Sequence, residues 1–166
     1  MTWPVSELDR IQRLRVMAEG VPGALFREYR VDVPFDEAWG FISDMERSVP
    51  LFDGQVTRLD VVERSDDGTH LRARTTSRFT GPLTLPFDIE LTEGWCLMVA
   101  RPQVYLVGMA AEPDGDGTRM GHLEAVPVRS PRWLRPIVSF VMGLVRRVHR
   151  HHVDGDIRRI QQHFRL

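Results

Sequence analysis

The chain has 166 residues, 42% hydrophobic and 27% charged, with a net charge of -1. That length suits one domain, and the balance is that of an ordinary soluble globule. The near-zero charge excludes any bulk electrostatic attraction to nucleic acid, although all 22 basic residues are arginine.

The single cysteine, Cys96, excludes an internal disulfide and a cysteine-rich zinc site. It lies in the apolar run Trp95-Cys96-Leu97-Met98-Val99, so a buried, inert thiol is expected. No basic segment followed by an apolar run and a cleavage site opens the chain. The longest apolar stretch, Ile137 to Val145, is far short of the ~20 residues that span a bilayer. A cytoplasmic location is the expectation.

Residues Ser6 to Glu19, with Val5 just before them, carry Leu8, Ile11, Leu14 and Ala18 at helical spacing, with Ser6 as the predicted N-cap and Gly20, Pro22 and Gly23 ending the element. This N-terminal helical extension, residues 1–23, is expected to pack on the outside of a body formed by residues 24–166. Leu25 to Val33 alternates and meets Pro34, the pattern of a first strand. In the next segment Phe35, Ala38, Trp39, Ile42 and Met45 share a helical face, with Asp36 and Glu37 at the positive end; Pro50 and Gly54 close what reads as a short helix or a bent pair.

From Gln55 the period changes to that of strands. Val56 to Glu63 and His70 to Arg78 flank an Asp66-Asp67-Gly68 turn. Leu71, Ala73, Thr75, Ser77 and Phe79 share one face of the second strand, and His70, Arg72, Arg74 and Arg78 share the opposite, solvated one. After Gly81-Pro82, Leu83, Leu85, Phe87, Ile89 and Leu91 alternate with polar residues or prolines. Gly94 precedes a strand over Trp95 to Arg101, Pro102 precedes Val104 to Ala111, and the turn Pro113 to Gly117 precedes Thr118 to Val128. Arg132 to Phe164 then carries a long helical stripe that includes Leu134, Val141, Val148, His152, Ile157 and Ile160.

The expected fold is therefore α+β: about seven strands in a curved antiparallel meander, wrapped around one terminal helix of ~30 residues, roughly 45 Å long at 1.5 Å per residue. A sheet of this size does not close tightly on a single helix, so the gap becomes a cavity or is filled by bulky side chains.

The segment VDVPFDEAWGFISDMERSVPLFDGQVTRLDVVE resembles the opening of the START-like, or SRPBCC, superfamily of helix-grip proteins. A strand ends in proline, an acidic helix carries a tryptophan, and Asp44, Glu46, Pro50 and Phe52 lead into the second strand. The closing HHVDGDIRRIQQHF is similar to the superfamily's last helix. The resemblance covers about residues 25–165, and within it the nearest likeness is to the polyketide cyclase/dehydrase and lipid-transport branch. It implies a cavity for a hydrophobic small molecule such as a lipid, polyketide or quinone, and in some members aromatase/cyclase activity. Pro131 to Pro136, around Trp133, departs from the superfamily pattern.

Such a cavity would be lined by Trp39, Phe41, Met45 and Phe52 from the short helices. The strands would add Phe79, Phe87, Met98, Tyr105 and Met109, and the terminal segment Trp133, Phe140 and Met142. The same residues also suit ordinary core packing. His122 and Glu124, two apart on one strand, face the same way as Met120 and Val126. Turned inward they form an acid/base pair in which desolvation would raise the glutamate's pKa; turned outward they are an exposed pair. Tyr105 offers a hydrogen bond to a carbonyl, and Arg74 or Arg101 a cation for a carboxylate or enolate, unless the arginines are solvated.

His149, His151 and His152 read as a pH-sensitive basic surface: only His149 and His152 share a helical face, with Asp156 the one carboxylate within a turn. No metal or cofactor is expected. Three functions follow: carriage of a hydrophobic ligand, aromatase/cyclase chemistry using His122, Glu124, Tyr105 or Arg74, and peripheral membrane or partner contact through the basic amphipathic stretch from Trp133 to His152. Nothing in the sequence encodes the oligomeric state.

Overall fold

The computed structural model describes residues 7–21, 23–78, 81–102, 105–126 and 135–165, with only the helical backbone described over 135–148. The elements are α1 (Arg10–Gly20), β1 (Leu25–Val31), α2 (Phe35–Ser43), α3 (Met45–Phe52), β2 (Val56–Arg64), β3 (His70–Ser77), β4 (Thr84–Thr92), β5 (Trp95–Ala100), β6 (Leu106–Asp114), β7 (Gly117–Ala125) and α4 (Arg135–His163). The seven strands form one antiparallel sheet in the order β1-β7-β6-β5-β4-β3-β2. Only β1 leaves sequential order, returning to pair with β7, so Leu25 lies opposite Glu124 and Arg27 opposite His122. This is the α+β helix-grip arrangement, with the terminal helix as the last element.

Turn chemistry sets the meander. Gly94 connects β4 to β5 at φ +69°, a conformation that favours glycine. The β6–β7 hairpin is tighter than the sequence suggests: Asp114 pairs with Gly117, so β6 continues through Pro113 and the loop is Gly115-Asp116.

Both faces of the β6–β7 region are covered. On one side α1 buries Ile11 and Leu14 with Trp95, Ala110 and Leu123. Two glycines make the bed for it: a Cβ on Gly108 would come within 2.5 Å of Leu14 Cδ1, and one on Gly121 within 3.3 Å of Ile11 Cγ2. The helix starts later than its apolar stripe implies. Asp9, not Ser6, caps it: Asp9 Oδ1 accepts the Gln12 amide at 2.7 Å, and Gln12 Oε1 accepts the Asp9 amide at 3.1 Å. Leu8 is accordingly exposed, and Ser6 lies outside the described residues.

The other face of the sheet carries the main core. Leu71, Ala73, Phe87, Ile89, Met98, Met109 and Met120 pack against Trp39, Ile42, Met45, Val49 and Phe52 of the bent pair α2–α3, and against Ile160 of α4. Earlier in α4, Val153 and Ile157 pack on Leu25 of β1. No helix among the described residues is long and apolar enough to cross a membrane.

Candidate functional site

Strand β7 decides the site. Alternation directs Gly121 and Leu123 to α1, which leaves Met120, His122 and Glu124 to face the interior between sheet and α4. His122 and Glu124 are each 1% exposed. The expectation that left their facing open resolves inward.

Glu124 is the hub. Its Oε2 accepts from Tyr105 Oη at 2.6 Å and from His149 Nε2 at 2.6 Å, and its Oε1 accepts from His122 Nε2 at 2.9 Å. A carboxylate offers only acceptors, so both imidazoles present Nε2–H to it. Burial opposes the charge, but the hydrogen bonds from His122 and His149 and the nearby His152 outweigh it and hold the carboxyl below its usual range. The sequence-based expectation of a raised glutamate pKa fails for this reason: its surroundings are apolar in wall but rich in donors at one point. The same bond raises the His122 pKa against the pull of burial. The Tyr105 hydroxyl is pushed well above its usual value, first by burial and then by the Glu124 charge.

A second carboxylate group lies alongside. Asp53 caps the C-terminus of α3, and its Oδ1 accepts the amides of Gln55 at 2.7 Å and Val56 at 3.1 Å, turning the chain into β2. Asp156, from α4, accepts from Arg159 Nη1 at 2.6 Å through Oδ1; the same guanidinium nitrogen donates to the Phe52 carbonyl at 2.6 Å and so ties α4 to the end of α3. Gly54 leaves room for it, since a Cβ there would meet Arg159 Nη2 at 2.3 Å. Burial, with Asp53 beside it, raises the Asp156 carboxyl to about 6. His152 stands between the two groups, with Nε2 at 3.3 Å from Asp156 Oδ2, 3.7 Å from Asp53 Oδ1 and 3.9 Å from Glu124 Oε1. Among the described residues here, three buried polar atoms lack hydrogen-bond partners: His122 Nδ1, Asp156 Oδ2 and the Tyr29 hydroxyl, which feels the Asp156 charge.

Tyr105, His122, Glu124, Asp53 and Asp156 form the polar end of an enclosed cavity whose apolar walls include Ile42, Met45, Phe52, Phe87, Met98 and Met109. Its volume is about 40 Å³, room for a few waters at ~10–15 Å³ each and well below the ~300 Å³ of a typical ligand pocket. The hollow expected from the curvature of the sheet is largely filled by methionine and aromatic side chains.

Of the candidates read from sequence, Met45, Phe52, Phe87, Met98, Tyr105, Met109, His122 and Glu124 all line this cavity. Trp39 is buried elsewhere in the same core. Phe41 turns away to stack on His163, with ring centroids 4.0 Å apart. Arg74 is exposed on the outer face of β3, and Arg101 is exposed and paired with Asp88, so neither reaches the interior. Phe79 and Trp133 lie outside the described residues, as do the side chains of Phe140 and Met142. His149 and His152 are corrected from a basic surface to inward-facing groups, with side chains 12% and 8% exposed, whereas His151 is exposed. Asp53 and Asp156 were not singled out as site residues. The i, i+4 spacing of His152 and Asp156 was the one available signal, and Asp53 comes from a helix end about a hundred residues earlier.

Neither a protein-family model nor a curated protein matches the sequence. Solved structures do match the fold. The di-domain ARO/CYC BexL aligns with a TM-score of 0.66 at 12% identity, over 91% of this chain and 53% of its own, so the chain spans about half of that protein. The Zhui aromatase/cyclase from Streptomyces aligns at 0.63 and 12% identity, over 86% and 93% of the two chains. A START superfamily protein from Mycobacterium smegmatis aligns at 0.62 and 12% identity, over 86% and 97%. The chain has the START-like fold. In START-like terms, the polar cluster sits between the sheet, the α3–β2 corner and the terminal helix, at one end of the space these elements enclose.

Proposed function

We propose that this START-like protein binds a hydrophobic small molecule (a lipid, polyketide or quinone-like compound) between the sheet and α4, with a carbonyl or hydroxyl of the ligand directed to the His122–Glu124–Tyr105 cluster. One observation carries the reading: an apolar-walled cavity ends on a buried His122 whose Nδ1 has no partner. An unpartnered buried polar atom costs about 1–3 kcal/mol, which a ligand oxygen at that point would offset. The small volume is compatible with uptake because Met45, Met98 and Met109 are unbranched and can repack around a guest. Burial of the guest's apolar surface contributes roughly 25 cal/mol per Å².

The test uses the apolar fluorophore N-phenyl-1-naphthylamine. Wild-type protein is expected to bind one equivalent with micromolar affinity. Val107→Trp, which places an indole in the cavity wall beside Tyr105 and Met109, should weaken binding at least tenfold while leaving the circular dichroism unchanged. Equal affinity in both proteins would place the dye elsewhere and defeat the reading.

A second reading, aromatase/cyclase chemistry, is favoured by the Glu124–His122 pair. With Nε2–H engaged by an ionised Glu124, the free Nδ1 of a neutral His122 is a base pointing away from its orienting carboxylate, the arrangement that suits removal of a proton next to a ligand carbonyl. Glu124 would position the base, and Tyr105, whose hydroxyl donates to Glu124, would help hold that carboxylate ionised and in place. The basic amphipathic composition of the stretch from Trp133 to His152 leaves peripheral membrane or partner contact as a lesser proposal. Co-sedimentation with anionic vesicles tests it, and no binding to vesicles of phosphatidylglycerol would remove it.

A further inference from the structure

We propose that Asp53, His152 and Asp156 bind a divalent transition-metal ion of the zinc class at the polar end of the cavity. One ligand atom from each residue, a carboxylate oxygen or an imidazole nitrogen, lies within 4.8 Å of the others. The separations of His152 Nε2 from Asp156 Oδ2 (3.3 Å) and from Asp53 Oδ1 (3.7 Å) accompany no hydrogen bond. They suit the edges of a coordination polyhedron, because bonds of about 2.0–2.1 Å to zinc in tetrahedral geometry put neighbouring ligand atoms roughly 3.3 Å apart.

A second, independent observation points to a guest here. Asp156 is 1% exposed, and its Oδ2, the oxygen nearest His152, has no hydrogen-bond partner. Meanwhile its Oδ1 is held by Arg159 at 2.6 Å, with the Gly54 amide at 3.4 Å, and Asp53 is held by the Gln55 and Val56 amides. Both carboxylates are thus oriented from behind, as outer-shell partners orient metal ligands, with one oxygen of Asp156 left over. Two carboxylates this close in a buried setting repel each other, and a dication between them removes that repulsion.

The donor set selects the ion. One imidazole and two carboxylates suit Zn²⁺, Co²⁺ or Mn²⁺ better than the all-oxygen preference of Ca²⁺ or Mg²⁺. Three protein ligands leave a coordination position open, and Asp53 and Asp156 both line the cavity, so that position faces the space in which a ligand carbonyl would lie. The site thereby deepens the ligand reading, but cation binding is measured on ligand-free protein, so either can fail alone.

The experiment is calorimetric titration of the chelator-treated 166-residue chain with ZnCl₂, and with CoCl₂ followed by visible absorption. One equivalent is expected to bind with a dissociation constant below about 10 μM, and cobalt should give d–d bands. His152→Gln and Asp156→Asn should each weaken binding at least tenfold, whereas His151→Gln, on the exposed side of the helix, should not. Asp53→Asn keeps the oxygen that accepts the Gln55 and Val56 amides and removes only the charge, so it should weaken binding by a smaller factor while leaving the turn intact. Failure of the wild-type protein to take up one equivalent overturns the proposal whatever the variants do. So does loss on His151→Gln with retention in His152→Gln, which would put the ion on the helix surface.

Discussion

Replacing Glu124 with glutamine leaves its shape and removes its charge. The wild-type carboxylate accepts three hydrogen bonds, from Tyr105, His149 and His122, within 2.9 Å. A glutamine has one oxygen for these three donors. If that oxygen serves Tyr105 and His149, the amide NH₂ meets His122 Nε2–H, and His122 must move its proton to Nδ1, which has no partner. Hydrogen bonds to charged groups are worth about 1.5–3 kcal/mol each, and breaking a buried ionic pair costs about 3–5 kcal/mol, so Glu124→Gln should lose about 3–5 kcal/mol in urea denaturation at pH 6. The pH dependence is sharper. Wild-type Glu124 titrates below its unfolded value of 4.5, so its contribution is present above pH 4.5 and is lost as the pH falls through the folded value. His122 titrates above its unfolded value of 6.5, so its contribution is complete below pH 6.5 and is lost as the pH rises through the folded value. The pair therefore stabilises most between these limits. In Glu124→Gln burial acts on His122 without its main opponent, its pKa drops below 6.5, and this residue's contribution to stability rises with pH instead of falling. Histidine NMR titration and urea midpoints from pH 4 to 8 measure both effects. A loss under about 1 kcal/mol with an unmoved His122 pKa would refute the reasoning.

Other consequences follow from the packing. Leu14→Ala removes the side chain that α1 plants over Gly108 and should cost about 3 kcal/mol, read from thermal denaturation. Gly108→Ala drives a methyl into the same leucine and should destabilise by about 1–3 kcal/mol through overpacking. Arg74→Ala should change stability by no more than about 0.5 kcal/mol and leave dye binding untouched, because its side chain faces solvent. Burial pushes the Cys96 thiol up to about 12, so a thiol reagent such as dithionitrobenzoate should react with the native protein slowly at pH 8, accelerating in urea in step with unfolding.

The architecture was legible because each strand carries period-2 alternation between turn residues, while the last thirty residues carry a helical stripe; these two periods suffice for a sheet that grips a helix. Element ends were less legible where two signals compete. Ser6 and Asp9 are both capping residues three apart, and Gln12 decides for Asp9 through a reciprocal bond that an apolar stripe does not reveal. The site was half legible. Spacing put His122 and Glu124 on one face, but which face is interior depends on α1 covering the other, through Gly108 and Gly121, a long-range fact without a local signature. Asp53 has none at all: it enters the cluster because Arg159 ties the α3 carboxyl end to α4.

The central claim, that the space between sheet and terminal helix receives an apolar guest at the His122–Glu124 end, is tested most directly by native mass spectrometry of protein purified from its own host. The account predicts one adduct of a few hundred daltons per chain, retained by wild-type protein and absent from Val107→Trp. Only the bare chain mass in both proteins, from a sample that also fails to take up the naphthylamine probe, would contradict it.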